Sequence, residues 1–369
     1  MKAWIVTLSL LLLTGCTATT AAASTGQIFL YGEEHGRADH LAVQLERWTY
    51  YYEEHGLRHL FVELPFFTAA FLNVWMGEPD DRILDEIMVA TEGTAGNTPY
   101  MRQFLGDIKA NLPETIFHGT DVGHQFHTTG RRFIEYLYEH ELTTYPDGTP
   151  SFIYQHTLEN IRQGADFHEH FMIHRDHQIR VDYKFDNFVL LFDRLEGESI
   201  MGGLYGLLHV RLEDYPPTFA HGHSLGRRLL AHYGSDQVHT FNVFDFVTLP
   251  DLAGEPVTLL IDSGRHAAVY LGTEDLRPHF PGRFNARSFY RLTDAYELFR
   301  HEPFTGDVLP FDNFPFLVTE GQVFMIHYEN ADGSEWFWYG RASGGELNGR
   351  PTVQEFEIGD RQTIIVMER

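Results

Sequence analysis

The strongest constraint on the fold is an alternation. Short apolar runs that end in glycine or a polar residue are separated by segments with helical period. Gln27-Ile28-Phe29-Leu30-Tyr31 runs into Gly32, His59-Leu60-Phe61-Val62 into Glu63, and Thr115-Ile116-Phe117-His118 into Gly119. Ser199-Ile200-Met201 opens a glycine-rich stretch ending at His209, and further apolar runs lie at 238–246 and 257–261. Continuous apolar runs of this length read as strands buried on both faces. Between them, 39–55 carries Leu41, Val43, Leu45, Trp48 and Tyr52, which predicts a one-faced helix. Residues 82–90, 100–110 and 131–139 read likewise, and 154–195 reads as a long helix broken once. Strand alternating with helix predicts an α/β fold of three layers, a mostly parallel sheet flanked by helices.

The tail has a different pattern. Residues 322–328 and 335–339 are extended runs around Asn330-Ala331-Asp332-Gly333-Ser334, a hairpin signature, and 363–367 could add a strand. The organisation expected is an α/β domain over 26–300 and a β-rich C-terminal extension over 301–369.

At the other end, Lys2 precedes an apolar stretch over 3–13, too short for the roughly 20 residues of a membrane span. Leu13-Thr14-Gly15-Cys16 has the form of a bacterial lipobox, and Cys16 is the only cysteine of the chain. This predicts a signal peptide over 1–15, lipidation of Cys16 and a small-residue spacer to residue 25. Thr17 rather than Asp follows the cysteine, so the expected location is the outer membrane facing the periplasm in a Gram-negative cell. With 52 acidic against 27 basic residues, the net charge of −25 repels a polyphosphate partner and argues against nucleic-acid binding.

In open α/β sheets the chemistry sits at the carboxyl ends of the strands. Glu33 and His35 follow the first strand and, two apart in extended backbone, point the same way. Glu63 follows the second, and His209 closes the glycine-rich run. Two carboxylates and two imidazoles brought together can share general acid–base work, or Glu33, His35 and His209 could ligate a divalent metal. Two rival sets exist. Gly222-His223-Ser224-Leu225-Gly226 has the form of a nucleophile elbow, with Asp262 and His266 following, but Pro216 and Pro217 spoil the strand such an elbow needs. Ser224 reads better as the N-cap of a helix over 225–232. His168, His170, His174 and His177 are a helical histidine group in which the last three share a face, a second place for metal or haem.

Gly32-Glu33-x-His35, Glu63 and Gly206-x-x-His209 resemble the superfamily that joins erythromycin-esterase-like enzymes with ChaN-like haem-binding lipoproteins. Gly119-x-Asp121, Arg175-Asp176 and Leu225-Gly226-Arg227-Arg228 agree in order, over residues 27–250. The resemblance implies a site above the sheet in which His35 activates water, oriented by Glu33 and Glu63, with His209, Arg175 and Asp176 as partners. The implied activity is hydrolysis of an ester-like small molecule. Esterase-like members have one more residue between the first Glu and His, and a His-Asn pair where Gly206-Leu207 stand here. Those departures are closer to the ChaN-like pattern, which implies a haem- or metal-binding lipoprotein. A Tiki-like metallopeptidase is a third implication, because that branch shares Gly-x-x-His.

Overall fold

The computed structural model describes residues 26–94, 97–175, 177–212, 222–247, 251–261, 264–277, 282–310, 316–347, 350–356, 358 and 363–366. The expected signal peptide, Cys16 and the spacer lie outside the described residues, as do Asp176 and Asp262. Among the described residues no helix is long and apolar enough to cross a membrane.

The chain begins with β1 (Ile28–Glu33), α1 (Ala38–Glu54) and β2 (His59–Pro65), then α2 (Phe66–Gly77), α3 (Arg82–Ala90) and α4 (Pro99–Asn111). β3 (Ile116–Asp121), a π-helical turn (Phe126–Gly130) and α5 (Arg131–Glu139) follow. The predicted long helix is indeed broken once, into α6 (Phe152–His174) and α7 (Gln178–Asp193). β4 (Ile200–Gly206), the short α8 (Leu207–Val210), α9 (Leu225–Tyr233) and β5 (Val238–Asn242) complete this half. The five strands form one sheet in the order β3-β2-β4-β1-β5, every pairing parallel. Its core is apolar on both faces, with Trp48, Trp75, Phe61, Phe67, Phe188 and Phe192 almost wholly buried.

β4 lies between β1 and β2, so the ends of all three strands meet above it. Its path is bulged. Leu30 pairs with Gly202, but Gly32 pairs with Tyr205, so β4 carries one residue more than β1 over that span. The extra residue is accommodated by Leu204 in the left-handed region at φ 60°. The glycines before it have a packing reason. A Cβ on Gly203 would lie 2.7 Å from Oε1 of Gln44, and one on Gly202 would lie 2.5 Å from Leu30.

The second half is antiparallel. It comprises β6 (Glu255–Ile261), β7 (Gly264–Asp275), β8 (Phe284–Leu292), the short α10 (Tyr296–Phe299) and β9 (Phe304–Pro310). β10 (Val323–Asn330), β11 (Glu335–Arg341), β12 (Glu346–Leu347), β13 (Arg350–Phe356) and β14 (Thr363–Val366) follow. The sheet runs β12-β13-β11-β10-β8-β7-β6-β14, with β9 on β13. The predicted hairpin is β10–β11, in register from Val323↔Arg341 to Glu329↔Glu335. β10 is buried on both faces. Val323 and Met325 join one apolar cluster, and Phe324 and Ile326 join another. The change from the parallel to the antiparallel sheet falls between residues 246 and 255. The run 257–261, read as one more strand of the parallel sheet, is β6 of the antiparallel one. A five-residue apolar run does not carry the direction of its partner.

Candidate active site

Glu33 is the last residue of β1 and is 2% exposed. His35, two residues on, turns Nδ1 back to donate to Oε1 of Glu33 at 2.9 Å. The other Glu33 oxygen accepts from Nε2 of Gln44, a buried residue of α1. Gln44 also uses its Oε1, accepting from the backbone N–H of Leu204 at 2.6 Å. One amide therefore braces both the carboxylate behind His35 and the bulge of β4. Burial pushes the Glu33 carboxyl above its ordinary range, against the pull of the His35 bond. Burial alone would strip the proton from His35, but the bond to Glu33 and the charge of Glu63 outweigh it and raise the imidazole. The His35 side chain is 37% exposed, so the ring is held from below and reached from above.

Glu63, in β2, is the hub. Its Oε1 accepts from Nη2 of Arg180 at 2.8 Å and Nζ of Lys184 at 2.5 Å, and lies 3.0 Å from Nε2 of His209. Its Oε2 accepts from the backbone N–H of Gly206 at 2.6 Å and lies 3.9 Å from Nε2 of His35. Burial works against the Glu63 charge, but His209, Lys184 and Arg180 together hold its carboxyl well below the usual range. Asp121 ends β3 and binds the same arginine, accepting from Nε at 3.0 Å and Nη2 at 2.5 Å, with Lys184 3.7 Å away. It too is held well below the carboxylate range despite its burial. His209 is buried on α8, and burial pushes its pKa down to about 4, so the ring is neutral and donates from Nε2 to Glu63.

The predicted residues Glu33, His35, Glu63 and His209 are thus brought together. Arg175 is not. It ends α6 in the left-handed region at φ 56°, exposed, with its guanidinium 5.5 Å above the Phe171 ring. The helix breaks there, and the arginine that reaches the strand ends is Arg180, on the next helix. Asp121 enters the sequence reading only through the Gly119-x-Asp121 resemblance, without a role, and Arg180, Lys184 and Gln44 are not singled out there at all. Their signal is polar residues on a buried helical stripe. His40 and Gln44 share the buried face of α1 with Leu41 and Trp48, while Lys184 and Asn187 share that of α7 with Phe188 and Leu191.

Metal ligation by Glu33, His35 and His209 does not fit this arrangement. Both Glu33 oxygens accept from His35 and Gln44, Nε2 of His209 faces Glu63, and Arg180 and Lys184 hold the cation positions among the carboxylates. Among the described residues no group of three or more His, Cys, Asp or Glu is disposed to hold a metal ion. The helical histidines do not form one group: His170 lies tilted against His174, His177 packs on Phe167 and Phe171, and His168 faces His124. Ser224 is a buried cap. It accepts from Arg227 N–H at 3.1 Å and donates to the Arg211 carbonyl, so its hydroxyl is committed at the start of α9.

Above the cluster lies a cavity of about 450 Å³. Glu33, His35, Glu63, Asp121 and Arg180 line one side, and His124 and His168 approach from the loop after β3 and from α6. The other side is mostly apolar, with Leu72 of α2, Ile87 and Met88 of α3, and Met101 and Leu105 of α4, interrupted by Thr68, Thr91 and Thr94.

Searches for similar proteins found no matching family model and no matching curated protein. Among solved structures, the chain is similar over 57% of its length to a Bacillus cereus protein, with 13% identity, 64% of that chain covered and a TM-score of 0.39. A succinoglycan biosynthesis protein gives 11% identity over the same shares of the two chains, with a TM-score of 0.39. In both cases less than two thirds of the other chain is covered. An erythromycin esterase mutant in its open conformation is similar over 92% of this chain and 90% of its own, at 10% identity and a TM-score of 0.43.

Proposed function

We propose that the protein is a hydrolase, tethered to a membrane through Cys16, in which His35 activates water to cleave an ester-like substrate. The observation that carries this reading is the pairing of His35 and Glu33. Nδ1 is held at 2.9 Å by a buried carboxylate while the ring borders an open cavity. That pairing fixes the tautomer and leaves Nε2 as the base. A water beside Nε2 gives its proton to His35 as its oxygen attacks the substrate carbonyl. The tetrahedral oxyanion then collapses, the C–O bond to the alcohol breaks, and the leaving oxygen takes the proton back from Nε2. Arg180 borders the same cavity and brings positive charge toward the oxyanion. Glu63, fixed as an anion by Lys184, Arg180 and His209, stabilises the imidazolium formed in between.

The test is turnover of a chromogenic ester by His35→Ala. The expected result is loss of turnover with an unchanged circular-dichroism spectrum; intact turnover refutes the role of His35. The tether is tested separately: Cys16→Ser should move the protein from the detergent-soluble membrane fraction to the soluble fraction, and no shift refutes it.

A further inference from the structure

We infer that the cavity above His35 takes an ester carrying a flexible, unbranched apolar chain of medium length, an inference that rests on the hydrolase reading above. The lining is divided. Every charged side chain at the floor is already matched: Glu33 by His35, and Glu63 and Asp121 by Arg180 and Lys184. That side has room for the one polar centre of an ester and offers no uncompensated charge to hold an ionic substituent. The facing wall, from Leu72 through Ile87, Met88 and Met101 to Leu105, comes from three successive helices and is mostly aliphatic and thioether carbon and sulfur, with Thr68, Thr91 and Thr94 adding only uncharged hydroxyls. Two methionines in such a wall suit a chain that bends, because their unbranched side chains repack around it. A volume of about 450 Å³ sits in the lower half of the roughly 300–1,000 Å³ range of small-ligand sites, which favours a chain of medium length over a large polycyclic body.

The experiment is kcat/KM for p-nitrophenyl acetate, butyrate, hexanoate and octanoate, beside a matched series of alkyl acetates. Each methylene placed on the wall should raise kcat/KM about fourfold until the cavity is full. A rise in the acyl series seats the acyl chain on the wall, and a rise in the alkyl series seats the alcohol there; either supports the inference. Equal rates at all lengths in both series overturn it and leave the hydrolase reading standing. No turnover of any ester sinks the hydrolase reading, and calorimetric binding to His35→Ala then decides the cavity separately. Tighter binding of p-nitrophenyl octanoate than of the acetate keeps the apolar chain; equal binding removes it. Met88→Glu, on the half-buried part of the wall, should lower the octanoate-to-acetate ratio at least tenfold, and an unchanged ratio also overturns the inference.

Discussion

Gly206→Ala separates the geometry of the reaction from the stability of the fold. Gly206 sits at φ −56° and ψ 137°, a conformation any residue adopts, so alanine brings no backbone strain. Its N–H bond to Glu63 at 2.6 Å is untouched. The new methyl would lie 3.2 Å from Nε2 of His35, 3.7 Å from Oε2 of Glu63 and 3.7 Å from Cδ2 of His209. The first contact is too tight by a few tenths of an ångström, and His35, more than a third exposed, is the group that can yield. Stiffening the unfolded chain contributes about 0.4–1 kcal/mol, which offsets mild crowding, so net stability should change by no more than about 1 kcal/mol. Catalysis should fare worse, because the methyl occupies the space beside the basic nitrogen. Misplacement on the ångström scale costs up to about a hundredfold, and we expect kcat/KM to fall roughly 10- to 100-fold, or about 1.4–2.7 kcal/mol. Urea unfolding and kcat/KM on one chromogenic ester, measured on the same preparation, decide it. A folded variant within twofold of the wild-type rate would show that the attacking water does not stand beside Nε2, and the mechanism would have to be redrawn.

Other consequences follow from the same contacts. For activity, His35 must be unprotonated, and its pKa is raised, so kcat/KM should climb with pH through a midpoint above histidine's ordinary value of about 6.5. A midpoint below that value contradicts the pairing with Glu33. For stability the buried histidines act with the opposite sign. His209 titrates at about 4 when folded and about 6.5 when unfolded, so the unfolded chain binds the extra proton in that interval. Stability should drop by roughly 3 kcal/mol from this residue between pH 6.5 and 4. His156, pushed to about 4, adds to the loss, and a flat urea midpoint across that interval would contradict the neutral-donor assignment. Lys184→Met removes a fully buried cation from between Glu63 and Asp121 and should cost about 3–5 kcal/mol in urea unfolding. It should also raise the His209 pKa measured by NMR, since the ammonium holds it down; an unmoved His209 would argue against their coupling. Ser224→Ala should lose about 0.5–2 kcal/mol of stability with the removal of a helix cap and keep its turnover. Loss of turnover in a folded Ser224→Ala protein would revive the serine nucleophile.

What was legible in the sequence follows the physics of each element. A buried strand is a continuous apolar run, so the residue where polarity returns stands out; Glu33, Glu63 and the turn to His209 are all such residues. A helix hides its contribution. Its buried stripe is inferred from apolar residues, and a polar residue on that stripe looks like noise in the period. Gln44 and Lys184 escape the pattern for that reason; in α1 the expected Leu41 and Trp48 are buried, but His40 and Gln44 complete that face while Val43 and Leu45 are only partly buried. Arg175 attracted attention because Arg-Asp looks like a pair, yet the left-handed break at that residue turns it outward and hands the role to the next helix. The antiparallel setting of β6 is hidden for another reason: it pairs with β7 directly after it and with β14 far along the chain, and the apolar run 257–261 does not itself carry the direction of either partner.

The two glutamates of the site are driven in opposite directions, and that difference assigns their work. Glu63 and Asp121 are buried against a guanidinium and an ammonium, which hold both carboxyls well below the usual carboxylate range. Their charges are a fixed frame. Glu33 is buried against two uncharged or titrating donors, Gln44 and His35, and is pushed up instead. Where neighbouring titratable groups are pushed apart in this way, the groups near their transition handle the proton and the others supply field. In the mechanism proposed above, the proton moves through His35 with Glu33 behind Nδ1, and Glu63 with its cations supplies the fixed field. Glu33→Gln keeps an acceptor for Nδ1 but removes the charge and the acceptor of Gln44, so it should lower the His35 midpoint and kcat/KM with some loss of stability. Glu63→Gln removes one of the two buried carboxylates that hold Lys184 and Arg180, so its loss should be of stability first, read in urea before any assay. If Glu33→Gln instead unfolds the protein while Glu63→Gln shifts only the pH profile, the two roles are exchanged.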